Sequence, residues 1–194
     1  MATSLTPEGG ERSSGHPAPG RPDAVLGRIP LPARVVFYGT FFLAAILGGL
    51  SWLASRLEVA FPRCAIELGW LRLLGLVFFS VCLVTYVWLS YVLTSRGQGA
   101  YVEFDPPEAL VTSGPYCWVR NPIAACVVGM LLGESVALSS TGVFLLLLAS
   151  LLLAHLQVVC LEEPLLRKRF GQAYDDYRAR VPRWIPRRPR EEAP

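Results

Sequence analysis

The chain has 194 residues and a formal net charge of +3, and 53% of its residues are hydrophobic while 17% are charged. Soluble domains carry roughly 25% charged residues, so this composition indicates an integral membrane protein, and the length suits a single domain. Basic residues concentrate towards the C-terminus without interleaved aromatic residues. This pattern argues against a nucleic-acid-binding domain and favours a contact with the membrane surface.

The cysteines and histidines do not suggest a metal site or a disulfide framework. The chain has five cysteines and two histidines. No two cysteines form a C-x-x-C pair, which excludes the common zinc arrangements, and an odd number of scattered cysteines argues against structural disulfides. We therefore expect no metal. Cys82, Cys126 and Cys160 lie in apolar runs and are expected to be small buried residues.

Two polar segments flank the part of the chain that we expect to fold. Residues 1–30 are rich in Gly, Pro, Ser, Glu and Arg and contain no apolar run, so we predict a disordered N-terminal tail and not a signal peptide. Residues 187–194 form a short tail of basic and acidic residues. The folded domain is predicted to span residues 31–186.

Apolar runs predict about four membrane-spanning helices, because about 20 apolar residues are needed to cross the hydrocarbon of a bilayer. The runs cover residues 33–54, 70–93, 122–138 and 141–161. Residues 165–180 carry apolar side chains on one side and charges on the other, which predicts an amphipathic helix on the membrane surface. Pro164 is placed to break or kink the chain before this helix. We therefore predict an all-α integral membrane protein.

The distribution of arginines predicts the orientation of these helices. Segments rich in Arg and Lys stay in the cytoplasm, so the basic C-terminal tail is expected there. Four spans then place the N-terminus and the connection at residues 94–121 on the same side, and the uncharged turn at Ser139 and Ser140 outside. The overall composition suggests a bacterial inner membrane.

Two pairs of polar residues bracket the last predicted hairpin. Arg120 and Asn121 precede the third span, and Glu162 and Glu163 end the fourth. The two ends of an antiparallel hairpin lie on the same side of a membrane, so these side chains can meet. Ionisable groups at this level are costly without a partner, which makes the meeting point a candidate functional site.

A second interpretation gives the polar groups structural roles. Glutamates at a helix end can stand in solvent, where Arg167 and Arg169 are local partners. His155 lies seven residues before Glu162, which places both on one face of an α-helix. For His155, and for Glu134 in the third span, a hydrogen bond to a neighbouring helix is a simpler explanation than catalysis.

Four motifs follow one another in a fixed order. They are G-P-Y-C-W-V-R-N-P at residues 114–122, E-E-P-x-L at 162–166, F-G-x-x-Y-x-x-Y at 170–177 and V-P-R-W-I-P at 181–186. In order and spacing this set resembles the isoprenylcysteine carboxyl methyltransferase family, in its bacterial branch, which is akin to the phospholipid N-methyltransferases. The resemblance covers residues 70–186.

The resemblance implies a small membrane methyltransferase, of the carboxyl O- or N-methyltransferase type, that uses S-adenosylmethionine. Its cofactor pocket would lie on the cytoplasmic side, between the R-[HN]-P segment, the double glutamate and the C-terminal helix. Arg120, Asn121 and Glu163 are then the catalytic candidates. The candidates for cofactor binding are Tyr116, Arg120, Asn121, Pro122, Glu162, Glu163 and Tyr177, with Tyr174 and Arg183 as further wall residues.

These residue types suit the chemistry of that cofactor. Glutamates suit its ammonium group and add negative potential near its sulfonium, and an arginine can hold its carboxylate through two hydrogen bonds. Aromatic side chains suit the adenine face and the cation. The methyl acceptor would be an amphipathic small molecule, a lipid or a lipid-modified thiol that enters from the bilayer.

Two positions depart from the family's pattern. Asn121 stands where a histidine is common, and an asparagine can form hydrogen bonds but cannot act as a base. Ala124 stands where a tyrosine is common, and the smaller side chain would enlarge the pocket or weaken cofactor binding.

Two other functions remain open on the sequence. One is an NADPH-dependent membrane reductase, because sterol reductases share a similar C-terminal pattern. The other is a non-catalytic membrane scaffold protein that keeps the fold without the chemistry. Binding of S-adenosylmethionine separates the methyltransferase from both.

Overall fold

The computed structural model describes residues 29–60, 68–97 and 108–187. The regular structure in these ranges is all helical. The predicted tails at residues 1–30 and 187–194 lie almost wholly outside the described residues.

Seven α-helices follow one another in the described ranges. They are α1 (Leu31–Leu43), α2 (Ser51–Ala60), α3 (Leu71–Gly97), α4 (Pro122–Leu138), α5 (Thr141–Gln157), α6 (Glu163–Phe170) and α7 (Gln172–Arg180). The π-helical segments Ala44–Leu50 and Val158–Glu162 join α1 to α2 and α5 to α6 without a break, and a 3-10 helix, Gly114–Cys117, precedes α4.

Within the described residues, three helical stretches are long and apolar enough to cross a membrane, namely Leu31–Arg56, Leu71–Gly97 and Thr141–Phe170. The shorter apolar helix α4 contacts both α3 and α5, while α1 contacts α3 and α2 contacts α5. Many large apolar side chains point outwards from this bundle, as Val84 and Leu152 do with 70% and 61% exposure. Such a surface suits lipid and not water. An all-α membrane protein with about four spans is therefore confirmed.

The two ends of the bundle differ in chemistry. Asn121 and Glu163 lie at one end, which we call the motif end. The turn at Ser139 and Ser140 lies at the other, which we call the turn end. Ser139 adopts a left-handed conformation with φ of 53°, and Ser140 caps α5 by accepting a hydrogen bond from the Val143 N–H at 3.1 Å. The predicted tight hairpin between the third and fourth spans is thus present.

A carboxylate from α2 completes the cap at the turn end. Glu58 accepts hydrogen bonds from the backbone N–H groups of Thr141 and Gly142 and from the Ser140 hydroxyl. Burial alone would raise the pKa of Glu58, but these three hydrogen bonds outweigh it and lower the pKa below its usual value. The first N–H groups of α5, which have no partner within the helix, are satisfied in this way.

The helix that carries the double glutamate does not stop at Pro164. The π-helical segment just before this proline widens the helix, which accommodates a residue that has no N–H to donate. The break comes at Gly171, whose φ of 54° and ψ of −129° few other residues adopt. The amphipathic stretch predicted at residues 165–180 is therefore two helices, α6 and α7.

Two glycines let α3 and α4 cross with their backbones in contact. A Cβ atom added to Gly75 would lie 2.7 Å from the Gly133 carbonyl oxygen, and one added to Gly133 would lie 2.7 Å from the Phe79 nitrogen. Both neighbours are backbone atoms and cannot move aside. Small residues at a helix crossing are the usual basis for close packing between membrane helices.

We expect Gly133→Ala to destabilise the bundle by about 1–3 kcal/mol, because the methyl group overpacks the crossing. Gly48→Ala is the matched control, since a Cβ there meets nothing within 4 Å. Thermal unfolding of the detergent-purified protein measures both. A midpoint for Gly133→Ala at or above that of Gly48→Ala would contradict the close crossing.

Candidate active site

The residue at the centre of the motif end is Glu163. Its carboxylate oxygen Oε1 lies 3.0 Å from Nη1 of Arg120, and both side chains are only 9% exposed. Arg120 stands just before α4, whose first residue is Pro122, and Glu163 begins α6. The hairpin of α4 and α5 therefore brings the two charges together, as the sequence predicted.

A second arginine binds the same carboxylate. Arg183 donates from Nε to Oε1 of Glu163 at 2.6 Å and from Nη2 to Oε2 at 3.0 Å. This bidentate pairing is the strongest geometry for a guanidinium and a carboxylate. The hydrogen bond to Glu163 is also the main reason that the pKa of Arg183 is raised. Two cations thus share one buried anion.

Residues 181–187, which we call the C-terminal strap, run across the segment before α4. The backbone N–H of Arg120 donates to the Pro182 carbonyl at 2.9 Å, and Nδ2 of Asn121 donates to the Arg183 carbonyl at 3.3 Å. Further along, the Arg187 N–H donates to the Trp118 carbonyl at 3.0 Å. The strap is therefore fixed to the R-N-P segment through both backbone and side chains.

Two tyrosines of α7 close the cluster from the side. Tyr177 donates its hydroxyl to the Tyr116 carbonyl at 2.7 Å, and Nη1 of Arg120 donates to the Tyr174 hydroxyl at 3.3 Å. Both tyrosine side chains are buried. Burial raises the pKa of Tyr174, and the negative charge of Glu163 raises it further. Tyr174 therefore stays neutral and can serve as a hydrogen-bonding wall.

Glu162 takes no part in the ion pairs of Glu163 with Arg120 and Arg183, which we call the junction at Glu163. Its Oε1 accepts a hydrogen bond from Nε2 of Gln157 at 3.1 Å. In a continuous α-helix Glu162 would share the face of His155, as the sequence predicted. The π-helical segment Val158–Glu162 has one more residue in its turn than an α-helix has. Glu163, and not Glu162, therefore lies on the helical face of His155. The observed contacts agree, since the neighbouring residues Arg183 and Trp184 bind Glu163 and His155, respectively.

The structure brings most of the predicted site residues into one cluster. They are Tyr116, Arg120, Asn121, Pro122, Glu163, Tyr174, Tyr177 and Arg183. Glu162 adjoins the cluster but faces Gln157. Sequence reasoning missed Gln157 and Trp184, and the only signal that pointed to Gln157 was a polar residue late in an apolar run.

The alternative local partners of the glutamates are engaged elsewhere. Arg167 donates from Nε to Asp175 at 3.0 Å, and the guanidinium of Arg169 lies 6.0 Å from the Phe170 ring centre. Glu134 has the structural contact that the sequence favoured, since it accepts a hydrogen bond from the Ser51 hydroxyl at 3.0 Å. These groups stand apart from the junction at Glu163.

The sequence profile of the phospholipid methyltransferase family matches residues 70–173, which is more than half of the chain. The chain belongs to the phospholipid methyltransferase family. The matched region runs from the start of α3 into α7, so it contains Arg120 and both glutamates and ends before the strap. The expected resemblance to membrane methyltransferases is thereby confirmed.

The chain is also similar to a protein that is named for metal resistance. The nickel-cobalt-cadmium resistance protein NccN of Alcaligenes xylosoxydans xylosoxydans is 28% identical over 111 residues, which cover 56% of this chain and 52% of the relative. The chain thus spans about half the length of that protein. No solved structure gives a significant match.

We expect Glu163→Gln to lower the stability by about 3–5 kcal/mol, because it leaves two guanidiniums without their shared anion. Glu162→Gln is the matched control, since a glutamine there keeps its polar contact with Gln157. Thermal unfolding in detergent is the measurement. Equal unfolding midpoints for the two variants would contradict the conclusion that the junction at Glu163 stabilises the motif end.

Proposed function

We propose that this chain transfers a methyl group from S-adenosylmethionine to an amphipathic, phospholipid-like acceptor at the cytoplasmic face of a membrane. The observation that carries this proposal is the junction at Glu163. There the R-N-P segment, the double glutamate and the C-terminal strap meet through ion pairs at 3.0 and 2.6 Å. Family membership supports methyl transfer as the reaction class.

The polar atoms of the junction fit the groups that such a cofactor presents. Nε of Arg120 is buried and has no hydrogen-bond partner among the described residues, although Nη1 of the same guanidinium is paired. A buried donor without a partner is costly, and a carboxylate is the acceptor that suits it best. The Glu162 carboxylate accepts a hydrogen bond from Gln157 and is not the anion that the two arginines bind, and a carboxylate suits an ammonium group.

Each residue then has a distinct task. When bound, S-adenosylmethionine supplies an electrophilic methyl group on a sulfonium. Arg120 holds a carboxylate, Glu162 holds an ammonium, and Tyr174 offers a neutral aromatic wall. Glu163 is already neutralised by two arginines and therefore positions them. Catalysis of this kind depends mainly on orientation, which a buried ion-pair network provides.

The side chain at position 121 limits the chemical class of the methyl acceptor. Asn121 donates to the Arg183 carbonyl and has no group that can take a proton. A carboxylate acceptor is already a nucleophile. An amine acceptor first gives its proton to water and is then methylated to an ammonium, so neither acceptor needs a base at that position. The family's description favours a phospholipid, and the exposed apolar surfaces of α3 and α5 suit entry of its chains from the bilayer.

The orientation follows from charge. Arg167, Lys168 and Arg169 close α6 at the motif end, whereas the turn at Ser139 and Ser140 has no charge. The positive-inside rule then favours a cytoplasmic motif end, with both chain termini in the cytoplasm of a bacterial cell. A water-soluble cofactor would reach the junction from that side.

A role in metal resistance is a second candidate, favoured by the name of the relative from Alcaligenes xylosoxydans xylosoxydans. Growth of a strain lacking this chain on nickel, cobalt or cadmium tests it directly. The reductase and scaffold alternatives have less support, since family membership favours methyl transfer over both.

We expect calorimetry on the detergent-purified protein to give micromolar-range binding of S-adenosylmethionine. Arg120→Lys should weaken binding about tenfold or more, because lysine lacks the planar fork that holds a carboxylate. Glu162→Gln should weaken it about tenfold through the lost ion pair.

Glu134→Gln is the matched control, because Glu134 is bonded to Ser51 within the bundle. It should bind the cofactor like wild type. A folded wild-type protein that binds no S-adenosylmethionine would refute the proposed function, and the same sample titrated with NADPH would test the reductase.

A further inference from the structure

His155 is a polar residue on the lipid-facing side of α5 that the proposed chemistry does not use. Its side chain is exposed. Its neighbours on the same helical face, Leu151 and Leu152, are 48% and 61% exposed. A polar side chain among lipid-facing leucines is costly, and such residues in membrane helices usually have a partner and a function.

The strap fixes the hydrogen-bonding state of this histidine. Nε1 of Trp184 donates to Nδ1 of His155 at 3.2 Å, with the two rings 6.2 Å apart. An indole nitrogen can only donate, so Nδ1 is an acceptor and the neutral imidazole carries its proton on Nε2. The Nε2–H group is therefore a donor on the opposite edge of the ring, and no described residue accepts from it.

The height of His155 in the membrane indicates which acceptor it can meet. α5 begins at Thr141 at the turn end. At a rise of 1.5 Å per residue, His155 lies about 21 Å along the helix, within a hydrocarbon layer about 30 Å thick. This level lies about 9 Å inside the motif-end edge of that layer. Trp184, a residue type that is common near membrane interfaces, reaches it from the strap. A phospholipid that lies along the leucines of α5 carries phosphate and ester oxygens, and these are the acceptors that it can offer to the Nε2–H group.

We propose that His155, oriented by Trp184, binds the phosphate of a phospholipid acceptor and holds its headgroup beside the junction at Glu163. This inference rests on the proposed function and names a subsite for its acceptor. Trp184 is adjacent to Arg183, which binds Glu163, so the strap connects the phosphate subsite to the junction. The leucines beside His155 provide the apolar surface for acyl chains, which favours a lipid over free phosphate.

The test is native mass spectrometry of the detergent-purified protein titrated with phosphatidylethanolamine, and in parallel with a diacylglycerol of the same acyl chains. We expect His155→Phe to weaken phosphatidylethanolamine binding about tenfold, because the ring is kept while the donor is lost. Diacylglycerol binding should not change, since it lacks the phosphate. His155→Gln keeps an N–H donor and should restore most of the affinity.

Two further variants test whether Trp184 orients His155 and whether the loss of lipid binding is specific to His155. Trp184→Phe should weaken phosphatidylethanolamine binding by about threefold, because it removes the donor that sets the tautomer of His155. Leu152→Phe is the matched control on the same lipid-facing side of α5 and should bind like wild type. Excess inorganic phosphate should displace none of the lipid.

The proposal is overturned if His155→Phe binds phosphatidylethanolamine as Leu152→Phe does, or if diacylglycerol binding falls equally. Displacement of the lipid by inorganic phosphate would instead assign the subsite to a soluble anion and would overturn the lipid assignment. The titration needs no turnover and no cofactor. Its failure is therefore distinguishable from the failure of the proposed function, which is judged by binding of S-adenosylmethionine.

Discussion

The ion pairs at Glu163 are the interaction on which the motif end depends. One buried carboxylate is shared by Arg120 and Arg183, so removing Glu163 leaves two guanidiniums without their anion in a poorly solvated place. Each group comes from a different element, namely the segment before α4, the start of α6 and the strap. The charges therefore determine where these elements meet, and the tyrosines of α7 pack around that point.

The π-helical segment Val158–Glu162 decides which glutamate enters the junction. The extra residue turns Glu163 inwards to the arginines and leaves Glu162 beside Gln157. The two adjacent glutamates thus have different partners, two arginines for Glu163 and the Gln157 amide for Glu162. π-helical turns are rare and are frequently found at functional sites. The same shift in register aligns His155 with Glu163, so that one strap reaches both.

Most of the fold could be predicted from the sequence, because apolar runs of sufficient length leave a membrane helix as the main option. The meeting of Arg120 with the double glutamate was predictable for the same reason, since a hairpin brings its two ends together. The choice of Glu163 over Glu162 was not, because helical periodicity assumes a regular turn. The contact of Trp184 with His155 was not predictable either, since it depends on the path of an irregular strap.

The most direct measurement is a methyl-transfer assay with the purified protein in nanodiscs that contain phosphatidylethanolamine. Methyl-labelled S-adenosylmethionine is added, and the label in the extracted lipid is measured. The account predicts label in the phospholipid with wild type and little with Glu162→Gln, at equal amounts of folded protein. A wild-type protein that binds the cofactor but leaves the phospholipid unlabelled would contradict a phospholipid acceptor at this site.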